Sequence, residues 1–335
     1  MEGACILARS ITNPTKQNEY FPIDELIGSS RVMQDVYEQI EMASTCEVPV
    51  LLMGETGTGK EVAATTIHRL SNRREEIFIP VNLGAIPDGL ISSVLFGHEK
   101  GAFTGADRMQ NGIFEQGNNG TVFLDEIGTI DYKAQVGLLR LVEEKRFSRL
   151  GGSQAIINNA RIITASNEDL KEKSKNGAFR EDLYYRLDVF CIKMPTLKAH
   201  LDDIPELINY FLAKYNLTMQ TEVKGVSEKA LERLQEYDWP GNVRELKNVI
   251  QRALIVCEGD EIQLEHLPPR FRSNKDKKSA NQTITFKIGT PLEQVEKEMI
   301  LKTISVSNNN RTKVAKLLEI SRRALYNKLK KYNIQ

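Results

Sequence analysis

The chain has 335 residues, 41% hydrophobic and 27% charged, which suits two or three globular domains with a sizeable core. No apolar run approaches the ~18 residues of a membrane span. Cys5, Cys46, Cys191 and Cys257 form no CxxC pair, which excludes a disulfide scaffold and a zinc ribbon and points to a reducing cytoplasm; His68, His98, His200 and His266 are scattered, so no His-based metal site is visible in the sequence. The formal charge is zero, yet Ser307–Gln335 carries eight Lys or Arg against one acid, Glu319. A basic tail on a mildly acidic body suits a polyanion partner, although charge alone favours the plainer reading of a solvated helix face.

Residues 1–21 are polar and turn-rich around Thr12-Asn13-Pro14 and read as a leader; the apolar stretch in Met1–Ser10 is too short for a signal peptide. Over 22–190, short β-branched runs (Val48–Met53, Ile77–Val81, Val122–Leu124, Ile162–Ala165) alternate with helical stretches. That pattern predicts an α/β fold with a parallel sheet buried on both faces. The first run enters Gly54-Glu55-Thr56-Gly57-Thr58-Gly59-Lys60-Glu61, followed by a helical stretch ending near Leu70. Strand, glycine loop and helix is the context of a P-loop. The glycines let backbone N–H groups turn toward the β- and γ-phosphates, the helix N-terminus adds its positive end, and Lys60 adds a point charge. Glu61 stands where Ser or Thr would hold Mg²⁺, so the ion would rely on water, carboxylates or Thr58.

A second strand, Thr121–Asp125, delivers Asp125 and Glu126 at its C-terminal edge, where sheet ligands bind. Asp125 can orient Mg²⁺ through water and Glu126 can polarise an attacking water. Alone, such a pair reads as a helix N-cap; beside a P-loop the hydrolytic reading is stronger. A third strand ends in Asn167, placed to sense a γ-phosphate and equally to cap a turn.

Strand signals fade from Cys191. Ile204–Tyr215, Ser227–Glu236 and Asn242–Cys257 predict a small helical subdomain over 191–270, broken at Trp239-Pro240-Gly241. Residues 271–289, Lys/Asn/Ser-rich at their centre, read as a linker. Thr290-Pro291-Leu292-Glu293 predicts a helix start with Thr290 as the cap and Pro291 at the first helical position, and Leu292, Val295, Met299 and Ile300 form one apolar stripe. A second helix follows Asn310 with Val314, Leu317 and Leu318 inward, and Ser321 caps a third with Leu325 and Leu329 inward. Residues 290–335 thus predict a helix-turn-helix. At roughly 100° per residue, Arg323, Ala324, Asn327 and Lys330 lie opposite the buried leucines and would enter a major groove. Arg322, Lys328 and Lys331 suit phosphates.

Further motifs follow one another along the chain: Leu95–Lys100 (LFGHEK), Gly101–Ala106 (GAFTGA), Phe123–Gly128 (FLDEIG), Gly177–Leu187 (GAFREDLYYRL) and Trp239–Leu246 (WPGNVREL). With the P-loop they make the chain, over about Pro22–Gln335, closely resemble the bacterial enhancer-binding proteins, the NtrC-type AAA+ activators of sigma-54 RNA polymerase with a Fis-type helix-turn-helix. The resemblance implies a P-loop AAA+ parallel sheet with a helical lid, ATP and Mg²⁺ as cofactors, and a homo-oligomer from dimer to hexamer or heptamer ring. It implies sigma-54 RNA polymerase holoenzyme and enhancer DNA as partners, no membrane, and a cytoplasmic place of work.

Site residues follow from the same resemblance. Gly101, Ala102, Phe103, Thr104, Gly105 and Ala106 would be the loop that touches sigma-54, through Phe103 and Thr104. Asn82 would restrain the catalytic Glu126 until the nucleotide state changes. Arg180 and Arg186 would face a neighbouring subunit's γ-phosphate. Arg244 would be a second sensor of the chain's own nucleotide, and Ile27-Gly28 would pack on adenine. Glu61 is usual in that family. The chain departs from its pattern at Leu83-Gly84, at Lys198 and His200, where arginines are usual, and at Glu319, where Gly is common. Read from residues alone, the glycines around Phe103-Thr104 weaken an otherwise helical stretch and suggest a projecting loop with an exposed aromatic; a Phe buried in a glycine turn is the plainer alternative.

Two functions from different classes fit these observations. One is a DNA-tethered ring ATPase that remodels sigma-54 polymerase. The other is a plain DNA-binding regulator whose nucleotide site is a relic or an oligomerisation switch. GAFTGA separates them, and the joint presence of Asp125, Glu126, Arg180 and Arg186 favours turnover.

Overall fold

The computed structural model describes residues 26–87, 89–272, 286, 289–307 and 311–332. The leader over 1–21, most of the linker over 271–289, and Asn310 lie outside the described residues. The chain divides into two compact units, meeting between Phe271 and Arg272.

The first unit runs α1 (Arg31–Ser44), β1 (Val50–Met53), α2 (Lys60–Leu70), β2 (Phe78–Asn82), α3 (Ile91–Phe96), β3 (Thr121–Asp125), α4 (Tyr132–Glu144), β4 (Arg161–Ser166), α5 (Glu181–Leu187), β5 (Phe190–Lys193), α6 (Ile204–Met219), α7 (Glu228–Gln235) and α8 (Asn242–Val256), with shorter pieces between. The five strands form one parallel sheet in the order β2-β3-β4-β1-β5. Successive residues on a strand face opposite sides, and here both sides are apolar. Leu51, Val122, Leu124 and Ile162 pack with Phe114 and Leu138 on one face. Val50, Leu52, Phe123 and Ile163 pack with Ile40, Ala63 and Ile67 on the other. Burial on both faces explains why these runs read as continuous apolar segments rather than alternating ones.

Because β1, β3 and β4 are neighbours pointing the same way, Gly54, Glu126 and Asn167 emerge at one edge of the sheet. The expected end of strand signals at Cys191 is corrected: β5 spans that position. It lies at the sheet edge, and only Ile192 of its four residues is buried; its apolar run Val189-Phe190-Cys191-Ile192 falls across the position where the strand signals are expected to end. The lid helices α6, α7 and α8 enclose Phe211, Trp239, Leu246 and Ile250, and the Trp239 indole N–H donates to the Leu234 carbonyl at 2.8 Å. No helix among the described residues is long and apolar enough to cross a membrane.

The second unit holds α9 (Leu292–Val306), α10 (Arg311–Leu317) and α11 (Arg322–Lys331). Its core is Ile300, Val314, Ala315, Leu325 and Leu329. Two expectations are corrected here. Pro291 takes the cap position and α9 starts one residue later. The stripe expected along α9 is buried at Ile300, while Leu292 is 85% exposed and Met299 44%; on α10, Leu317 is 57% exposed. So small a unit has one core, and it gathers around Ile300 and Ile304 in the C-terminal half of α9.

Between α10 and α11 the chain turns at Glu319 with φ 52°, and the Ile320 N–H reaches back to the Ala315 carbonyl at 3.0 Å. That is a left-handed helix C-terminus, a position that glycine fills without strain. Glu319→Gly is expected to stabilise this unit by about 1 kcal/mol. Amide exchange within α10 and α11 would then slow by about fivefold; unchanged or faster exchange would contradict the assignment.

Candidate functional site

A cleft of about 280 Å³ opens at the carboxyl edge of the sheet, between the P-loop and the lid. Its phosphate end is built by Thr56–Glu61. Gly57 and Gly59 have φ of 83° and 93°, the left-handed region in which a side chain is strained. A Cβ on Gly57 would fall 2.4 Å from the Gly241 carbonyl of the lid. Lys60 is 8% exposed and donates to the Gly54 and Glu55 carbonyls at 2.7 and 3.0 Å. Burial holds its pKa below the ordinary lysine value, Asp125 pulls it back up, Arg244 lowers it and Glu126 raises it. The Thr58 hydroxyl donates to the Glu55 carbonyl at 2.8 Å. Glu61 also lines the cleft.

Asp125 and Glu126 close the floor. The Asp125 carboxylate accepts from the Glu126 N–H at 2.9 Å, and Glu126 sits at φ 58°, a conformation that costs on the order of 1 kcal/mol and is common at functional positions. Its carboxylate rests over Gly84: a Cβ there would lie 1.9 Å from Glu126 Oε2 and 3.4 Å from Asn82 Oδ1. The glycine that departs from the usual pattern therefore makes room for this carboxylate. Asn82 lines the cleft and also caps a turn, accepting from the Ala85 N–H at 3.2 Å. Asn167 reaches the P-loop, with its amide donating to the Thr56 hydroxyl at 3.2 Å.

Ile27 and Arg244 line the same cleft, and the Arg244 N–H donates to the Gly57 carbonyl at 3.3 Å. Gly28 and its neighbours are held by Asp203, whose carboxylate accepts from the Ser29 and Ser30 N–H groups at 3.0 and 2.8 Å and meets His200 Nδ1 at 2.9 Å. Burial lowers the His200 pKa, against the raising effect of Asp203. The position usually held by arginine thus carries a buried imidazole on the apolar side of the cleft.

Arg180 and Arg186 do not line it. Arg180 pairs with Asp182 at 2.6 Å and lies 5.1 Å from the Tyr132 ring centroid; Arg186 pairs with Glu143 at 2.8 Å. Sequence reading missed Lys247, Tyr210 and Lys214 at this cleft, and Asn242, buried behind it against the P-loop. The pattern WPGNVREL contains Asn242, but nothing local signals that its amide meets the P-loop.

Gly101–Ala106 is a loop, as expected, but its flanks are not helical. The stems Gly97-His98 and Gln110-Asn111 pair antiparallel, and Arg149 ties them at Glu99 and Glu115 with distances of 2.8 and 2.6 Å. The loop closes on itself through a 2.8 Å bond from the Gly101 N–H to the Ala106 carbonyl. Ala102 is half-buried, Ala106 is buried, and Gly101, Thr104 and Gly105 are exposed. Phe103 is 37% exposed, with one ring edge on His98 at 5.0 Å.

On α11, Arg322, Arg323, Asn327 and Lys330 are exposed, and Ala324 is half-exposed. Ser321 caps the helix, accepting from the Ala324 N–H at 3.1 Å. Lys328 is half-buried and ion-paired to Glu296, which also accepts from the Tyr332 hydroxyl, a pairing that braces α11 on α9. Lys331 pairs with Glu293 at 2.7 Å yet stays exposed. Tyr326, unremarked in the sequence, is exposed on α11, with the Arg311 guanidinium 5.3 Å from its ring centroid.

Residues 26–193 match the family described as sigma-54 interaction domain, residues 198–284 the AAA+ ATPase lid domain, and residues 291–332 the bacterial regulatory protein, Fis family. The regulatory protein AtoC of Escherichia coli (strain K12) is 41% identical over 92% of this chain and 68% of its own length. The transcriptional regulatory protein ZraR of Salmonella typhimurium (strain LT2) is 41% identical over 91% of this chain and 68% of its own. Among solved structures, NtrX from Brucella abortus in complex with ATP is similar with a TM-score of 0.70 and 28% identity, over 92% of this chain and 70% of that one. A strand-loop-helix cradle for phosphates, two carboxylates at the end of another strand of the same sheet, a lid and a basic helix-turn-helix thus occur in one chain with these likenesses. The chain belongs to the sigma-54 enhancer-binding activators: it is an ATP-binding AAA+ ATPase with a DNA-binding, Fis-type helix-turn-helix.

Proposed function

We propose that this chain works in the cytoplasm as a ring-forming motor on enhancer DNA. Residues 290–335 hold the DNA; residues 22–190 and the lid over 191–270 bind and hydrolyse ATP. Dimers assemble into a hexamer or heptamer, and hydrolysis remodels the sigma-54 RNA polymerase holoenzyme from a closed into an open complex. The observation that carries this reading is the loop Gly101–Ala106, closed on itself with Phe103 and Thr104 turned to solvent.

Each residue has a place in the chemistry. The P-loop N–H groups and Lys60 orient the phosphates. The fit for Mg²⁺ is the Thr58 hydroxyl and Asp125 carboxylate in the same cleft; the ion would neutralise charge on the β- and γ-oxygens. Glu126 polarises the attacking water, Asn82 restrains Glu126, and Asn167 reads the γ-phosphate. Arg244 reads the nucleotide from the lid, Ile27-Gly28 packs on adenine, and Arg180 and Arg186 serve a neighbouring subunit. On DNA, Arg323, Ala324, Asn327 and Lys330 face the groove, while Arg322, Lys328 and Lys331 meet phosphates.

Phe103→Ala and Thr104→Ala test this reading. Each should keep ATP hydrolysis within about threefold of wild type, because neither residue lines the cleft. Each should keep a normal melt and lose capture of sigma-54 in the presence of ADP and aluminium fluoride. A core phenylalanine would instead cost about 3–5 kcal/mol on truncation, so a collapsed melt with lost hydrolysis would refute the loop assignment.

A further inference from the structure

The lid helix α8 begins at Asn242, whose side chain is directed away from its own helix. The residue is fully buried and has φ 51°, a region that Asn tolerates better than most side chains. Its amide donates to Glu55 Oε2 and to the Thr56 carbonyl, both at 3.1 Å. Its Oδ1 accepts from the Leu197 N–H at 2.9 Å. Leu197 opens the connector from β5 to α6, Glu55 and Thr56 form the crest of the P-loop, and Arg244 lies two residues further along α8. Three segments distant in sequence therefore meet on one buried amide.

We propose that Asn242 is a positioning residue for ATP hydrolysis, fixing the P-loop crest and Arg244 in register through its amide, with Glu55 as the partner that makes the contact charge-assisted. This rests on the reading that Arg244 and the P-loop hold the nucleotide. The joint provides a route from phosphate loop to lid that does not pass through the nucleotide. Any shift of Glu55 and Thr56 as the loop closes on phosphates is carried to the start of α8. The close approach of Gly57 to the Gly241 carbonyl leaves little slack between the two elements.

The amide offers a donor–acceptor exchange as a test. Asn242→Asp keeps the shape, the acceptor for Leu197 and the tolerance for φ 51°. It replaces the donor with an oxygen facing the Glu55 carboxylate and the Thr56 carbonyl. Glu55→Gln then supplies a donor from the other side. In the Glu55 background, Asn242→Asp is expected to lower kcat/KM for ATP by at least about tenfold, the scale of a lost charge-assisted hydrogen bond. In the Glu55→Gln background the same change should cost less than about threefold, and the double-mutant cycle isolates the pair. A role confined to starting a helix would give equal losses in both backgrounds, and that result overturns the proposal. Should Asn242→Asp fail to fold, Asn242→Gly, which accepts the backbone angle freely, should fold and show the tenfold loss; wild-type turnover by the folded protein would likewise overturn it. Arg244→Ala measured alongside separates the two levels. Normal turnover there overturns the cleft reading and the proposal with it. A loss there, with no coupling between positions 242 and 55, overturns the proposal alone.

Discussion

Replacing Glu126 by glutamine leaves ATP binding intact and slows hydrolysis by about 10²–10⁴-fold, the range that a positioned general base contributes. The substitution is close to isosteric. The left-handed backbone, the bond from the Glu126 N–H to Asp125 and the space over Gly84 all survive it. Only the negative charge that polarises water is lost. Lys60→Ala is the contrasting case, because it removes the cation at the phosphate end of the cleft and should abolish binding itself. Nucleotide titration followed by phosphate release distinguishes them. A Glu126→Gln protein that hydrolyses ATP at the wild-type rate would remove this residue from the mechanism.

The second large effect is expected from mixing two inactive proteins. Arg186→Ala protein keeps a complete phosphate cradle, and Lys60→Ala protein keeps both Arg180 and Arg186. Neither Arg180 nor Arg186 lines the cleft of its own chain; each is paired with a surface carboxylate. If they act, they act on a neighbour. An arginine finger contributes about 10³-fold or more to turnover. Each variant alone should therefore be nearly silent, and mixtures should recover a fraction of wild-type activity that peaks at intermediate ratios. For the same reason, wild-type activity per subunit should rise with protein concentration. A flat response at every ratio would mean that the site is not shared.

What could be read from the sequence was local. Gly54–Glu61, Asp125-Glu126 and the α11 pair Leu325 and Leu329 each announce themselves within a few residues, since strand, loop and helix spacing is set by the backbone. What was missed depended on distance. Asn242 and Glu55 are 187 residues apart, and their contact exists only because the lid closes over the sheet edge. Leu292 and Leu317 have the right helical spacing, but among the described residues no neighbour buries them. The pairing of Lys328 with Glu296 on α9 likewise joins residues far apart in the sequence. β5 was overlooked although Val189-Phe190-Cys191-Ile192 is a continuous apolar run, because so short a run between helical stretches does not by itself distinguish strand from helix. GAFTGA was legible as an exposed loop; the paired stems Gly97-His98 and Gln110-Asn111 were not, because each is two residues long.

The position of β1 in the sheet also bears on how the protein is made. Both partners of β1 come late: Val50 pairs with Ile163 on β4 and with Phe190 on β5. On the ribosome, at about 5–20 residues per second, the strand that carries the phosphate loop waits on the order of ten seconds before either neighbour exists. Throughout that interval Val50-Leu51-Leu52-Met53 is an apolar segment with two open edges, the kind of surface that pairs with other nascent chains. A truncated transcript ending anywhere before β4 leaves it unpaired permanently. Such fragments should accumulate in inclusion bodies or on chaperones.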